Sequence, residues 1–270
     1  MRASLLCLVP AVSLVAACAS APAPRPAGPA AALGSPALTV PSQGLAAFTA
    51  HFAGALTSDS VAVLERADYE LVSEGRVVQR GTLPLHLPLA PGEATPLSLE
   101  ASGPYATVPG TAPRFLLVAL RGTLHVEAGG GSTRVPFAAS REIRAPLPPR
   151  AVMARLDGAR YSDESVTLSF GLGVKNDNAF ALELGELRYV VRVAGKEMAT
   201  GVQGRRDTVS SGATGIYEEE VTLDLASYGP QVKPLIQSGA VPYEVAGSIR
   251  VATGEVPFTL AGNVTLGHSR

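Results

Sequence analysis

Reactive side chains are scattered rather than assembled. The four histidines, His51, His86, His125 and His268, could act as bases or metal ligands. None stands at ligand spacing from another histidine or from an acidic motif. In Leu83-Pro84-Leu85-His86-Leu87 the phase that turns the leucines inward turns His86 to solvent. Glu218-Glu219-Glu220 places Glu218 and Glu220 on one strand face, where a cation could bind weakly, but a charged, solvated face or edge is the plainer expectation. Gly171-Leu172-Gly173 lacks the third glycine of a dinucleotide loop and sits in a strand pattern. Gly129-Gly130-Gly131-Ser132 lacks the lysine of a phosphate loop and reads as a hairpin tip. No Gly-x-Ser-x-Gly elbow occurs. The basic pair Arg205-Arg206, between Gly204 and Asp207, reads as solvated surface in a turn. Asn263-Val264-Thr265 fits a glycan-acceptor pattern only by coincidence in the context that the N-terminus suggests. The sequence therefore assigns no catalytic residue, no cofactor and no metal site.

The elements that would position any site are β-strands. The chain has 270 residues and a formal net charge of -1, with 28 Gly, 22 Pro and no Trp. Near-neutral charge without a clustered basic surface excludes a nucleic-acid footprint, and so does the lack of a stacking platform. Abundant Gly and Pro with Val and Leu alternating against polar residues is a turn-rich, strand-rich composition. The two cysteines, Cys7 and Cys18, both precede the body of the protein, so neither a disulfide framework nor a thiolate metal site holds the fold.

Arg2 followed by the apolar run Leu5 to Val15 has the length of a secretory h-region and is too short to span a bilayer. Val15-Ala16-Ala17-Cys18 resembles the bacterial lipoprotein signal, in which the cysteine is acylated and becomes the mature N-terminus. The resemblance implies a signal peptide at 1–17, lipid attachment at Cys18 and a membrane-anchored protein. Ala19, in place of Asp, implies the outer membrane, facing the periplasm. Residues 18–36, dominated by Pro and Ala without periodicity, read as an extended tether.

The clearest strand signal runs from Val166 to Gly201. Val166, Leu168, Phe170, Leu172 and Val174 alternate with polar or small residues. Lys175-Asn176-Asp177-Asn178 makes a turn. Leu182 and Leu184 then lie one residue out of phase with Leu187, Tyr189, Val191 and Val193, which predicts a bulge at Gly185-Glu186. Gly195 makes the next turn.

The pattern repeats. Tyr189, Gly195, Gly201 and Gly212 each follow Tyr69, Gly75, Gly81 and Gly92 by 120 residues, and Leu184 follows Leu64. Val118, Leu120, Gly122, Leu124 and Val126 match Tyr243, Val245, Gly247, Ile249 and Val251 at 125, and Val135-Pro136-Phe137 matches Val256-Pro257-Phe258 at 121. The shift of four is expected to be absorbed in one hairpin loop, Glu127 to Arg134 against Ala252 to Glu255, as an insertion at the Gly-rich tip. The expected architecture is all-β: two tandem antiparallel β-sandwich domains of about seven strands, at 37–145 and 148–268, joined by the stiff linker Ala145 to Arg150. A short helix is expected in the second, between Ala226 and Gly239.

The second repeat resembles the late-embryogenesis-abundant type 2 (WHy domain) family. The residues that carry this are the Val166–Val174 strand, the Asn176-Asp177-Asn178 turn and Leu187-Arg188-Tyr189-Val190-Val191. Gly195, Gly201, the stretch Gly239 to Gly247 and Val256-Pro257-Phe258 with Gly262 also carry it. Asp177 replaces the proline of the usual Asn-Pro-Asn turn. The first repeat matches faintly and has Thr57-Ser58-Asp59-Ser60 at the turn. The resemblance implies a fibronectin type III-like (immunoglobulin-like) sandwich and no catalytic residues. It also implies association with desiccation or other stress in plants and with envelope lipoproteins in bacteria. The expected function is a non-enzymatic, membrane-anchored binding or stress-protective role, with the membrane and an unknown protein, glycan or lipid as partners. The alternative is a structural or interaction subunit of an envelope transport or secretion complex.

Overall fold

The computed structural model describes residues 30–107, 110, 112, 114–129, 131–161, 165–204, 207–224 and 241–264. Cys18, the signal peptide, Arg205-Arg206, His268 and the helix expected at Ala226–Gly239 lie outside them. Every regular element among the described residues is a strand, and every strand pairing is antiparallel.

The first half carries β1 (Ala31–Gln43), β2 (Ala47–Ser58), β3 (Ala62–Ser73), β4 (Arg76–Leu89), β5 (Thr95–Pro104), β6 (Phe115–Ala128) and β7 (Gly131–Arg144). They form a three-stranded sheet β1-β2-β5 and a four-stranded sheet β4-β3-β6-β7. The second half carries β8 (Arg150–Tyr161), β9 (Ser165–Lys175), β10 (Leu182–Leu184), β11 (Leu187–Val193), β12 (Lys196–Gln203), β13 (Asp207–Val209), β14 (Thr214–Asp224), β15 (Val241–Val251) and β16 (Gly254–Val264). Its sheets are β14-β9-β8 and β12-β11-β15-β16, with β10 and β13 paired separately.

Alternation buries one face of each strand. Phe48 and Phe52 of β2 and Leu97 and Leu99 of β5 meet Leu71, Leu120, Leu124 and Phe137 of the opposite sheet. Phe52 and Phe137 meet edge to face, 5.0 Å between centroids. The second core gathers Leu172, Val174, Leu187, Tyr189, Val191, Tyr217, Val245 and Ile249. Leu45, from the β1–β2 connection of the first sandwich, is buried in this second core.

One row of residues crosses each four-stranded sheet in the same register. In the first it reads Gly81, Tyr69, Gly122, Phe137, one residue per strand. In the second it reads Gly201, Tyr189, Gly247, Phe258. The Tyr69 ring covers Gly81, where a Cβ would stand 2.7 Å from the ring; the Phe137 ring covers Gly122 at 2.9 Å. Tyr189 covers Gly201 and Phe258 covers Gly247 in the same way. A Cβ on Gly122 or Gly247 would also strike the carbonyl oxygen of Asp68 or Arg188 on the neighbouring strand. These glycines are thus required by close approach, and the aromatic rings fill the space they leave.

The turns match as well. Glu74 and Gly75 close the β3–β4 hairpin with φ of 49° and 77°, and Ala194 and Gly195 close β11–β12 with 48° and 78°. Two consecutive positive φ values make a type I′ turn, whose twist suits the strands it joins. The last pairs of β6–β7 and β15–β16 are Ala128 with Gly131 and Val251 with Gly254. Ala128 lies six residues beyond Gly122, whereas Val251 lies four beyond Gly247. The four-residue difference is therefore not the loop insertion expected from the sequence: it lengthens two strands by two residues each, an even step that keeps every side chain on its face.

Two further expectations need correction. The bulge expected at Gly185-Glu186 is instead a change of sheet: β10 pairs with β13, and β11 with β12 and β15. Gly185 donates to Arg250 O (2.8 Å) and Arg250 N to Glu186 O (2.9 Å), which pins the crossing to β15. Leu184 and Leu187 are both buried across an odd spacing, and either a bulge or a strand switch satisfies that pattern. At the corresponding place in the first sandwich the device is a bulge, between Leu64 and Arg66. Secondly, the tether expected to run to Pro36 gives way to β1 at Ala31, where Ala31 pairs with Ser58 and Leu33 with Leu56. Pro36 sits in the register break between Gly34 and Ala37, a place where its missing N–H costs no ladder bond. Composition alone read as a linker because the pairing edge of β2 is distant in sequence.

The Asn turn joins the linker to the second sandwich. Asn176, fully buried, donates through Nδ2 to Phe180 O (2.7 Å), Val209 O (3.0 Å) and Ser210 O (3.2 Å). Its Oδ1 accepts from Asn178 N at 2.9 Å and Asn178 Nδ2 at 3.0 Å. Asn178 Nδ2 donates to Leu147 O (2.8 Å) and its Oδ1 accepts from Leu147 N (2.7 Å). Every donor and acceptor of the Asn178 amide that points into the protein is used, as burial demands. Asp177, in place of proline, holds Arg150 through two contacts of 2.9 and 2.8 Å and Lys175 at 3.2 Å. Hydrogen bonding from Arg150, then Lys175, keeps its carboxyl below the usual range.

Tyr189→Ala is expected to cost roughly 3–5 kcal/mol in denaturant unfolding, as truncation of a buried aromatic does. Gly247→Ala should cost at least the ~1–3 kcal/mol of ordinary overpacking, because the obstacle is backbone. An unchanged unfolding midpoint for Gly247→Ala would mean the β11–β15 approach is looser than described.

Candidate binding surface

Because Ala67, Tyr69 and Leu71 point into the first core, Arg66, Asp68 and Glu70 point out of it. In the same way Leu120 and Leu124 turn Arg121, Thr123 and His125 outward. Strand register then arranges these side chains in rows across the face. Glu70 lies between Arg80 and Arg121, with Ala138 beyond. In the next row Asp68 lies between Thr82 and Thr123, with Pro136 beyond. In the third, Arg66 lies beside His125, and His125 beside Arg134.

The carboxylates organise the cations. Arg80 Nε donates to Glu70 Oε1 (2.9 Å), while Arg121 donates to Oε2 through Nε (3.0 Å) and Nη2 (2.8 Å). Hydrogen bonds from Arg80, then Arg121, hold the Glu70 carboxyl below its ordinary range. Thr82 Oγ1 donates to Asp68 Oδ1 (2.7 Å), and His125 Nε2 lies 2.6 Å from Oδ2. These bonds, Thr82 first, lower the Asp68 carboxyl as well, against a desolvation effect in the other direction. The His125 side chain is only 14% exposed. Between the rows lies an open groove of about 700 Å³, bordered by Asp68, Glu70, Arg80, Thr82, Arg121 and Thr123 with the glycine row beneath. That volume falls in the range of small-molecule sites.

The equivalent face of the second sandwich is different. Val190 lies between Thr200 and Ala246, and Arg188 between Val202 and Ser248. Arg188 pairs with Glu186 next to it, and Val202 is 67% exposed.

The other candidates take structural places. His51 Nε2 lies 2.8 Å from Ser98 Oγ across β2 and β5. His86 is solvent-facing, as its phase predicted, and pairs with Glu65 at 2.8 Å. Glu218 and Glu220 are exposed on β14. Gly171-Leu172-Gly173 lies in β9, and Asn263 is exposed in β16. Among the described residues no group of three or more His, Cys, Asp or Glu side chains could hold a metal ion. Sequence reasoning missed the groove. Alternating Arg66-Asp68-Glu70 and Arg121-Thr123-His125 was visible as an outward set, but only register shows that Glu70 faces two arginines.

The fold and this surface define an antiparallel β-sandwich protein whose described polar clusters are ion-paired rather than arranged around a nucleophile. The family model for late embryogenesis abundant proteins, LEA_2, matches residues 172–262, from β9 to β16 of the second sandwich. No curated protein matches the sequence. Similar solved structures include a protein from Archaeoglobus fulgidus, 14% identical, with a TM-score of 0.29 over 45% of this chain and 98% of that one. Red sea bream transglutaminase is 10% identical, TM-score 0.29, over 90% of this chain and 32% of its own. A Bacteroides uniformis β-glucuronidase is 15% identical, TM-score 0.29, over 81% and 26%. The chain thus spans about a third or less of the two enzymes. At such scores these likenesses say nothing about activity.

Both carboxyls are lowered in the folded state, so their pairs stabilise the protein above the ordinary carboxylate range and that contribution is lost as pH falls through it and below. Melting temperature should therefore decline on acidification, and Glu70→Gln should flatten the decline. Parallel acid profiles for the variant and the parent would show that Glu70 contributes nothing there.

Proposed function

We propose that the protein is a non-enzymatic, lipid-anchored envelope protein whose two β-sandwiches are tandem copies of one late-embryogenesis-abundant type 2 module and act by binding, in a stress-protective role. The observation that carries the reading is the family match over residues 172–262. The Gly-Tyr-Gly-Phe row and the paired type I′ turns support extending the module to the first sandwich. Anchoring rests on Val15-Ala16-Ala17-Cys18. Each buried acyl CH₂ contributes about 0.8 kcal/mol, so a multiply acylated cysteine holds its protein durably on a membrane. Ala19 after the cysteine favours the outer membrane, with the sandwiches in the periplasm. The polar surface of the first sandwich supports contact with a soluble or headgroup-level partner rather than burial in a complex core.

Two measurements test this reading. Cys18→Ala should move the protein from the membrane pellet to the soluble fraction; sedimentation with membranes in high salt would end the lipoprotein assignment. A deletion strain should grow normally until dried or osmotically stressed. A stoichiometric transport or secretion complex recovered from native membranes, with no stress phenotype, would instead make the protein a fixed subunit.

A further inference from the structure

We infer that the groove on the outer face of β4-β3-β6-β7 is a binding site for an acidic saccharide, a carboxylate-bearing sugar of two to three rings. The inference rests on the binding role proposed above and gives it a ligand class.

The charge pattern calls for an anion. Glu70 engages Arg80 only through Nε and Arg121 through Nε and Nη2. Among the described residues neither terminal nitrogen of Arg80 nor Nη1 of Arg121 makes a hydrogen bond, so they can meet a ligand on guanidiniums already held in place. Glu70 and Asp68 balance Arg80 and Arg121 on the groove border, and Arg66, 3.7 Å from Asp68 in the adjoining row, adds a third guanidinium that leaves the face net positive; planar forks of this kind suit a carboxylate.

The neighbouring row calls for hydroxyls. Thr82, Asp68 and Thr123 line the groove with small donors and acceptors, and the Asp68 carboxylate is held ionised by its hydrogen bonds. Such groups bond sugar hydroxyls without demanding an apolar partner. Ala138, beside Arg121, is too short to fill the adjoining space. Four strands about 4.8 Å apart give a face roughly 14 Å across, the span of a short oligosaccharide. Among the described residues the groove borders no large exposed apolar side chain of the kind that anchors a protein partner or enters a bilayer. The second sandwich provides the contrast, because Val190, Thr200 and Ala246 stand where Glu70, Arg80 and Arg121 stand in the first.

The test is isothermal titration of the intact chain, purified in detergent, with trigalacturonate, maltotriose and inorganic phosphate as separate probes at 150 mM salt, an ionic strength near physiological. Trigalacturonate should bind, maltotriose should bind at least about tenfold more weakly, and phosphate should not reproduce the affinity. The double variant Arg80→Gln/Arg121→Gln should lose about tenfold or more. Thr123→Val, which leaves all charges in place, should lose a smaller factor, and Thr259→Val on the second sandwich should lose none. Melting temperatures of the variants separate loss of binding from loss of fold. No heat with trigalacturonate, equal binding of maltotriose or of phosphate, or full retention in the arginine double variant would overturn the assignment. The stress phenotype is independent of this readout: a silent titration with that phenotype intact removes only the saccharide site, whereas a bound sugar without the phenotype removes only the protective role.

Discussion

The close approach of backbone at Gly122 and Gly247 is the constraint on which the rest of the structure depends. At each, a side chain would strike a carbonyl oxygen on the adjacent strand. The absence of a side chain would ordinarily weaken a strand, since glycine loses more backbone entropy and packs nothing. Here Phe137 and Phe258 lie over the gaps, and Tyr69 and Tyr189 do the same for Gly81 and Gly201. Removing a ring would uncover a cavity, and adding a methyl would break the pairing. The row therefore ties strand register to core packing, and slippage by one residue would turn every inward side chain out.

With the inner face held so tightly, the ends and outer faces are where the two sandwiches differ. In the second, β10 leaves the sheet and pairs with β13, whereas β3 continues through a bulge. The second sandwich also has the buried Asn pair that seizes both backbone groups of Leu147. Together with Leu45 in the second core, this couples the linker and the first sandwich to the second through groups that cannot be exposed cheaply. The linker is stiff through its prolines and fixed through its hydrogen bonds.

The outer faces differ in chemistry for the same reason. Outward positions do not touch the core, so they tolerate charge, and the first sandwich carries alternating carboxylates and guanidiniums there. Individually such exposed pairs contribute little to stability. Their consequence is positional: each carboxylate holds its arginines or its histidine in place above the sheet. An edge is protected at the same time, since Pro84 and Pro88 on β4 cannot donate to an added strand.

Period-two alternation was enough to identify β6, β9, β11, β15 and β16, and the repeated glycines marked the hairpin turns at Gly75 and Gly195, because side-chain burial and positive φ are local demands written residue by residue. The offsets between repeats also carried the correspondence of Tyr69 with Tyr189 and Gly81 with Gly201. Composition misjudged Ala31–Pro36, because a strand of Ala and Pro is made by the partner that pairs with it. The shift of phase at Leu184 and Leu187 was legible, but whether the chain bulges or changes sheets depends on what lies beside it. The groove was hidden for a related reason: Glu70, Arg80 and Arg121 are separated by tens of residues, and a neighbour relation across strands exists only once the hydrogen-bond register is set. Local residue preferences thus specify which way each side chain faces, while the assembled sheets alone specify which side chains it meets.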